Sequence, residues 1–212
     1  MSELFYRAVR SFGTLVFRIA SAPRILHAER ARRPGAFLLA ANHESAYDAP
    51  LLIAATPRVI YWLSVVELFQ NPFSRWFLSS FGAMPLDRGK VDTVTVRQVA
   101  RLLKAGHVVG IFPEGRVRQG EDSAMRSGKI DTGVCKLAQL TGAPVLPCVV
   151  LGGTKFQRWT HWLPGAGARW AVAFGEPIFP RSEPDRATAQ VAMAEEITLA
   201  LRALSQEVAA YV

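Results

Sequence analysis

The chain has 212 residues, half of them hydrophobic, and a formal net charge of +8 at pH 7. This length suits one domain with a sizeable core, and the hydrophobic content excludes a disordered chain. The positive charge favours anionic partners such as nucleic acid, phosphorylated substrates or an anionic membrane surface.

The first 20 residues predict an amphipathic helix that ends before Pro23. Residues 1–35 carry seven Arg against two Glu, so +5 of the total +8 lies near the start of the chain. Two interpretations stay open for the helix: packing on the core, or lying on a membrane with a basic polar face. Its apolar residues recur at spacings of three and four: Leu4, Phe5, Ala8, Phe12, Leu15, Val16 and Ile19.

Strands alternate with helices along the rest of the chain. Strands are predicted at 24–30, 36–43, 58–65, 144–153 and 169–178, and within 107–115, where the strand runs into a turn; residues 83–88 form a strand or an extended loop. Helices are predicted between or after them, at 48–56, 71–82, 92–106, 131–141 and 185–211. Because several strands are almost uninterrupted apolar runs, we expect a single α/β domain. Its sheet should be mixed but mostly parallel, with helices on both faces. No apolar run approaches the ~18 residues of a membrane span.

The segment "NHESAYD" at 42–48 contains the most reactive pattern of the chain. Tyr47 stands where a zinc-binding H-E-x-x-H motif needs its second histidine, so no metal site is expected. Ser45 lies in no G-x-S-x-G turn, which argues against a serine nucleophile. Acid–base chemistry remains, because a histidine held by a carboxylate can take a proton from an alcohol.

The spacing of His43 and Asp48 decides whether the two can meet. Residues five apart on a regular helix lie about 140° apart, so a helix would separate them. A strand end followed by a turn and a helix start could fold Asp48 back onto His43. The alternative is that Asp48 only caps its helix and His43 is an ordinary loop residue.

Three further segments follow in order: "GAMPLDR" at 82–88, "IFPEGR" at 111–116 and "APVLPCVVLG" at 143–152. Together with "NHESAYD" they resemble the four successive motifs of the glycerolipid acyltransferases, which include the lysophosphatidic acid acyltransferases. The resemblance covers roughly residues 36–152. It divides the chain into an N-terminal membrane-docking helix over 1–23 and an acyltransferase domain over 24–212.

The resemblance implies a role for each motif residue. His43 would be the general base for a glycerol hydroxyl, and Asp48 would orient it. Substrate-binding residues would be Arg88, Glu114, Gly115 and Arg116, with Arg88 on the phosphate of the acceptor. Here "EGRVRQG" departs from the usual E-G-T-R-S. Either Arg116 or Arg118 could therefore supply the second cation near the phosphate.

The implied reaction moves an acyl group from acyl-CoA or acyl-carrier protein to 1-acylglycerol-3-phosphate, in phospholipid biosynthesis, without a bound cofactor. Alternatives are another lysophospholipid or lipid-linked acceptor, or a non-catalytic lipid-binding protein. We expect peripheral attachment to an anionic membrane, at the cytoplasmic face of the cell membrane. Nucleic acid is not expected as a partner, because no recognition motif is present. Candidates for an acyl-chain groove are Trp62, Phe69, Phe73, Trp76 and Phe77.

Overall fold

A mixed β-sheet organises the protein. This computed structural model describes residues 3–87, 93–163, 167–181 and 185–212. Its strands are β1 (Ser21–Leu26), β2 (Phe37–Ala41), β3 (Ile60–Val65), β4 (Met84–Leu86), β5 (Val108–Ile111), β6 (Val145–Leu151) and β7 (Ala168–Phe174). They form one sheet in the order β1-β7-β6-β2-β5-β3-β4, in which only β6 and β7 pair antiparallel.

Helices cover both faces of this sheet. They are α1 (Glu3–Ala20), α2 (Asp48–Ala55), α3 (Pro72–Ser80), α4 (Thr93–Lys104), α5 (Ala124–Ser127), α6 (Gly133–Thr141) and α7 (Arg186–Ala209). Side chains of α1 and α2 join the core on one face, and those of α4, α6 and α7 join the core on the other. The predicted α/β fold is thus confirmed. Within the described ranges, no helix is long and apolar enough to cross a membrane.

Strand β2 shows why the central strands are uninterrupted apolar runs. All five of its side chains are fully buried. Successive side chains of a strand point to opposite faces of its sheet. Phe37, Leu39 and Ala41 therefore pack beneath α2, and Leu38 and Ala40 pack on the opposite face. A strand buried on both faces has no solvent-facing position for a polar residue.

Strand β1 differs most from its predicted bounds of 24–30. It begins at Ser21, directly after α1, and ends at Leu26. Pro23 lies inside it and pairs with Trp170 of β7. A proline is tolerated here because β1 is an edge strand. The helical turn α5 was not predicted, since four residues are too few to show a period.

Helix α1 uses its two faces differently. Tyr6 and Phe17 are buried, and the Tyr6 hydroxyl accepts a hydrogen bond from the Ile60 N–H at 3.2 Å. Arg10 donates to the carbonyl of Pro57 at 2.6 Å, just beyond the end of α2. Much of the predicted apolar stripe faces solvent instead: Leu4, Phe12, Leu15 and Ile19 are all more than half exposed.

The buried face of α1 can be tested with two Phe→Ala substitutions. Phe17 is 5% exposed and contacts the rings of Phe156 and Trp162, with centroids 5.1 and 5.4 Å away. We expect Phe17→Ala to lower the free energy of unfolding by about 3–5 kcal/mol. Phe12→Ala, at a position 68% exposed, should stay within about 0.5 kcal/mol of the native protein. Equal effects in urea denaturation would contradict this packing.

Candidate active site

Two of the predicted motifs meet at the carboxyl ends of neighbouring strands. His43 follows β2 and Glu114 follows β5, and Gly153, which was not predicted, follows β6. These three strands are adjacent and parallel, with β2 in the centre. The chain leaves β2 toward β3 on one side and later returns to β6 on its other side. Ligands of open α/β sheets bind at such a reversal of strand order.

His43 and Asp48 form the hydrogen-bonded pair that the sequence predicted. His43 Nδ1 lies 3.1 Å from Asp48 Oδ2, and Asp48 is 1% exposed. The same oxygen accepts the N–H groups of Glu44 and Ser45, each at 2.7 Å. An ionised carboxylate only accepts hydrogen bonds, so Nδ1 carries the proton and Nε2 is the nitrogen that can take one up.

The turn between β2 and α2 explains this contact. Asp48 is the first residue of α2, and its N–H donates to the Ser45 carbonyl at 3.2 Å. Its carboxylate therefore folds back over the turn that precedes the helix. Tyr47, not Asp48, occupies the N-cap position. The alternative in which Asp48 only caps its helix is wrong.

The backbone of His43 is held from both sides. Its N–H donates to Glu114 Oε1 at 3.1 Å, and its carbonyl accepts the N–H of Arg118 at 2.7 Å. The preceding residue, Asn42, is fully buried and pairs with the backbone of Val150 through both ends of its amide, at 2.8 and 3.0 Å. Asn42 therefore joins the end of β2 to β6, a function that sequence reasoning did not assign.

The imidazole ring is held by stacking as well. The rings of His43 and Phe112 are stacked with centroids 4.0 Å apart and 11° between their planes. Phe112 stacks in turn on Trp62, at 4.9 Å and 16°. Gly110 makes room for the indole, because a Cβ there would lie 2.7 Å from Trp62. The ring of His43 thus has one defined orientation.

Gly153 makes room for the buried carboxylate. A methyl group on Gly153 would clash with Asp48 Oδ1 and lie 3.2 Å from Ser45 Oγ. Oδ1 is buried and has no hydrogen-bond partner among the described residues. Its position therefore depends on packing, and Gly153 forms the wall behind it.

Two more carboxyl groups lie close to the pair. Glu114 is 3% exposed, and burial raises its pKa, against the N–H groups of His43 and Ala124, which lower it in part. Glu44 has a pKa raised to about 7, first by burial and then by the negative charges of Asp48 and Glu114. Of these two groups, Glu44 therefore exchanges its proton near neutral pH, close to His43.

A cavity of about 1080 Å³ opens beside His43. This volume is at the upper end of the about 300–1,000 Å³ typical of ligand pockets. Its walls are mostly apolar and come from α1, α2, β3, α3, α4 and α6. Gly115 and Arg116 line it, and Gly115 has a φ of 71°, a conformation that favours glycine.

The remaining predicted residues are distributed unevenly. Arg116 lines the cavity and is exposed, whereas Arg118 turns its Nε to the Glu114 carbonyl at 3.2 Å. Arg88 lies outside the described residues. Of the groove candidates, Trp62 and Phe77 line the cavity. The other three do not: Phe69 is buried, and Phe73 and Trp76 are 70% and 60% exposed.

Metal binding finds no support in the part of the chain that the structure describes. No three His, Cys, Asp or Glu side chains there are arranged to hold an ion. Cys135 and Cys148 are free and buried.

Gly153→Ala should disturb the pair without touching either member. We expect loss of the downfield proton NMR signal of the hydrogen-bonded His43 Nδ1–H, because the added methyl displaces the Asp48 carboxylate. Gly175→Ala is the matched control, since the atoms nearest to its Cβ would belong to Leu204 and Pro147, at 3.2–3.4 Å, and not to the pair. An unchanged signal in Gly153→Ala would show that Asp48 does not depend on this space.

Glu44→Gln should change how stability depends on pH. Between the ordinary pKa of 4.5 and about 7, the unfolded chain loses a proton that the folded protein keeps. The native protein is therefore destabilised as pH rises through this window. We expect the free energy of unfolding of Glu44→Gln, relative to the native protein, to increase from about pH 4.5 to about 7 and then level off. Urea denaturation across this range measures it, with Glu195→Gln, at an exposed position of α7, as control. A pH-independent difference would contradict the raised pKa.

Comparison with known proteins places this site in a family. The chain is 28% identical over 139 residues to the 1-acyl-sn-glycerol-3-phosphate acyltransferase of Bacillus subtilis, covering 65% of this chain and 67% of that one. It is 29% identical over 124 residues to the protein of that name from Borreliella burgdorferi, covering 56% and 47%.

A solved structure shares the fold. The 1-acyl-sn-glycerophosphate (LPA) acyltransferase PlsC from Thermotoga maritima matches with a TM-score of 0.68 and 21% identity, over 96% of this chain and 80% of that chain. Residues 23–151, more than half of the chain, match the family described as Acyltransferase. The chain belongs to the acyltransferase family, as its four motifs indicated.

Proposed function

We propose that the protein transfers a fatty acyl group from an acyl thioester to the free hydroxyl of 1-acylglycerol-3-phosphate, in phospholipid biosynthesis. The donor would be acyl-CoA or acyl-carrier protein. The observation that carries the proposal is the hydrogen bond of His43 to the buried Asp48, at the wall of a large apolar cavity. The relatives' names, which specify this acceptor, support it.

The reaction would proceed by direct transfer. Nε2 of His43 takes the proton of the acceptor hydroxyl while the hydroxyl oxygen attacks the thioester carbonyl. The carbon–sulfur bond then breaks, and His43 returns the proton to the departing thiolate. Ser45 is unsuited to carry the acyl group, because it is fully buried and its Oγ accepts the N–H of Tyr47 at 2.9 Å.

Asp48 would contribute most when His43 is protonated. A buried carboxylate is costly unless it is paired, and two backbone N–H groups offset only part of that cost. The imidazolium formed during the reaction places a positive charge 3.1 Å from Asp48 Oδ2. The pair would therefore stabilise the charged state that proton transfer creates.

Two cations would hold the acceptor's phosphate. Arg116 lines the same cavity as His43, and a guanidinium matches phosphate oxygens with two parallel hydrogen bonds. Arg88 is assigned the same role by its motif alone. Glu114, by contrast, would support the backbone of His43, because its Oε1 accepts that N–H at 3.1 Å.

A lipid substrate would bring the protein to a membrane, and α1 would rest on its surface. The more-than-half-exposed side chains of Leu4, Phe12, Leu15 and Ile19 suit the hydrocarbon boundary. Arginines on the same helix, Arg7 and Arg18, are exposed and suit anionic headgroups. We place the enzyme at the cytoplasmic face of the cell membrane, as a peripheral protein.

Removal of the base tests this reaction. In vesicles containing 1-acylglycerol-3-phosphate, we expect His43→Ala to lower the rate of acyl transfer by about 10²–10⁴-fold, the contribution of a general base. His107→Ala is the control, because His107 precedes β5 and so lies at the amino end of that strand, away from His43 at the carboxyl end of β2. A rate for His43→Ala within a few-fold of the native rate would contradict the role of His43.

Two arginine variants distinguish phosphate binding from loop support. We expect Arg116→Ala to raise KM for 1-acylglycerol-3-phosphate about 10-fold or more, the value of a charged hydrogen bond, but not KM for a monoacylglycerol without phosphate. Arg118→Ala should instead lower kcat for both acceptors, because it removes the Nε–H donor to the carbonyl of Glu114, the residue whose carboxylate holds the His43 N–H. Equal effects of Arg116→Ala on both acceptors would contradict phosphate contact.

A further inference from the structure

Helix α3 carries an aromatic face that contributes nothing to the core. None of its nine residues is buried, and Phe73, Trp76 and Phe77 are 70%, 60% and 46% exposed. The helix is nevertheless well defined at its start, where Asn71 caps it and Pro72 occupies the first turn. Such a cluster of exposed rings marks an interaction surface.

These rings continue across to α1. Phe73 lies 6.1 Å from Trp76 and 6.4 Å from Phe77, measured between ring centroids. Phe77 lies 4.8 Å from Phe81, which lies 6.3 Å from Phe5 of α1. The aromatic face of α3 and the N-terminal end of α1 therefore form one connected apolar surface.

The cavity of His43 opens onto this surface. Leu68 and Phe77 line the cavity and are also 52% and 46% exposed to solvent. From α1, Val9 and Gly13 line it as well. The rim between α1 and α3 is thus mostly apolar, from the outside of the protein to the cavity wall at His43, with Arg10 and Thr14 of α1 as its polar members.

A lipid bilayer fits this surface better than a protein partner does. An apolar path that leads inward from an apolar surface suits a molecule whose chains already lie in hydrocarbon. Positive charge accompanies the apolar residues, with exposed Arg75 on α3 and exposed Arg7 on α1. Aromatic side chains beside basic ones are typical of proteins at the boundary between headgroups and acyl chains.

We propose that the aromatic face of α3 inserts into the same anionic leaflet as α1, and that acyl chains pass sideways from the leaflet into the cavity between the two helices. Phe73 and Trp76 anchor this surface in the leaflet, and Leu68 and Phe77 line the entrance of the cavity. This inference rests on the proposed function, because the cavity is taken to receive a lipid chain.

Trp76 is a natural probe for insertion. Vesicles of phosphatidylcholine and phosphatidylglycerol are prepared with and without bromine on their acyl chains, and tryptophan fluorescence is compared. We expect brominated chains to quench the native protein, and Trp76→Phe to lose that quenching component. Quenching identical in both proteins would overturn the proposal, because the other four tryptophans would then account for it.

A double variant tests whether the face carries binding energy. We expect Phe73→Asp/Trp76→Asp to weaken vesicle binding in flotation at least 10-fold. Val191→Asp/Leu199→Asp, at positions 53% and 63% exposed on α7, should bind like the native protein. Neither Phe73 nor Trp76 lines the cavity, so transfer between short-chain substrates dispersed in water should be unchanged.

The outcomes separate this inference from the proposed function. Weaker flotation with intact transfer in water supports insertion of α3. Unchanged flotation overturns it, even where the native protein transfers acyl groups normally. If the double variant changes the oligomeric state in the absence of lipid while its flotation with vesicles stays intact, the proposal is also overturned. The aromatic face of α3 is then a contact between copies of the chain. A native protein that transfers to no acceptor yet shows quenching at Trp76 refutes the proposed function and leaves membrane insertion standing.

Discussion

The buried carboxylate of Asp48 is the constraint on which the active site depends. At 1% exposure it must be compensated, and one of its oxygens accepts three contacts, from the N–H groups of Glu44 and Ser45 and from His43. Forming them requires a tight turn after β2 and a helix that begins at Asp48 itself. Its other oxygen requires the empty volume at Gly153, at the end of the neighbouring strand β6. The hydrogen bonds and the space that the Asp48 carboxylate needs therefore set the geometry of the loops after β2 and β6.

The sheet supplies the rigid frame for this arrangement. The loops that follow β2, β5 and β6 start from adjacent parallel strands, so their residues meet without long connections. Asn42 joins the start of the loop after β2 to strand β6, by replacing ladder hydrogen bonds beyond the end of β2. Phe112 adds the third by stacking on the ring of His43. Backbone, carboxylate and ring contacts together leave His43 little freedom, and the proposed role as a base needs such a fixed orientation toward a reactant.

The apolar cavity and the exposed apolar surfaces belong to one arrangement. A lipid chain passes most readily from one hydrocarbon environment to another along an apolar path. The mostly apolar cavity walls and the outward faces of α1 and α3 would provide such a path. With the proposed function, this would explain why α1 buries Tyr6, Phe17 and Ala20 but presents Leu4, Phe12, Leu15 and Ile19 to solvent.

Much of the fold and of the pair could be predicted from the sequence. Uninterrupted apolar runs such as β2 indicated buried strands, and the turn between His43 and Asp48 indicated that the two could meet. The predicted apolar stripe of α1 could not reveal which residues face the core, because the period of a helix fixes a face but not the neighbour it packs against. Asn42, Phe112 and Gly153 were missed for a related reason: their partners Val150, His43 and Asp48 lie far from them in the chain, so no local pattern links them.

Acyl transfer without a covalent acyl-enzyme is tested most directly by an acid-quenched single turnover with a labelled acyl thioester. The enzyme, in excess over the thioester, is mixed with 1-acylglycerol-3-phosphate, and label is followed in donor, lipid product and protein. Base catalysis by His43 and Asp48 predicts that label moves from thioester to lipid with none bound covalently to the protein at any time. Label that accumulates on the protein before it reaches the lipid would contradict it, as would no transfer from either acyl-CoA or acyl-carrier protein.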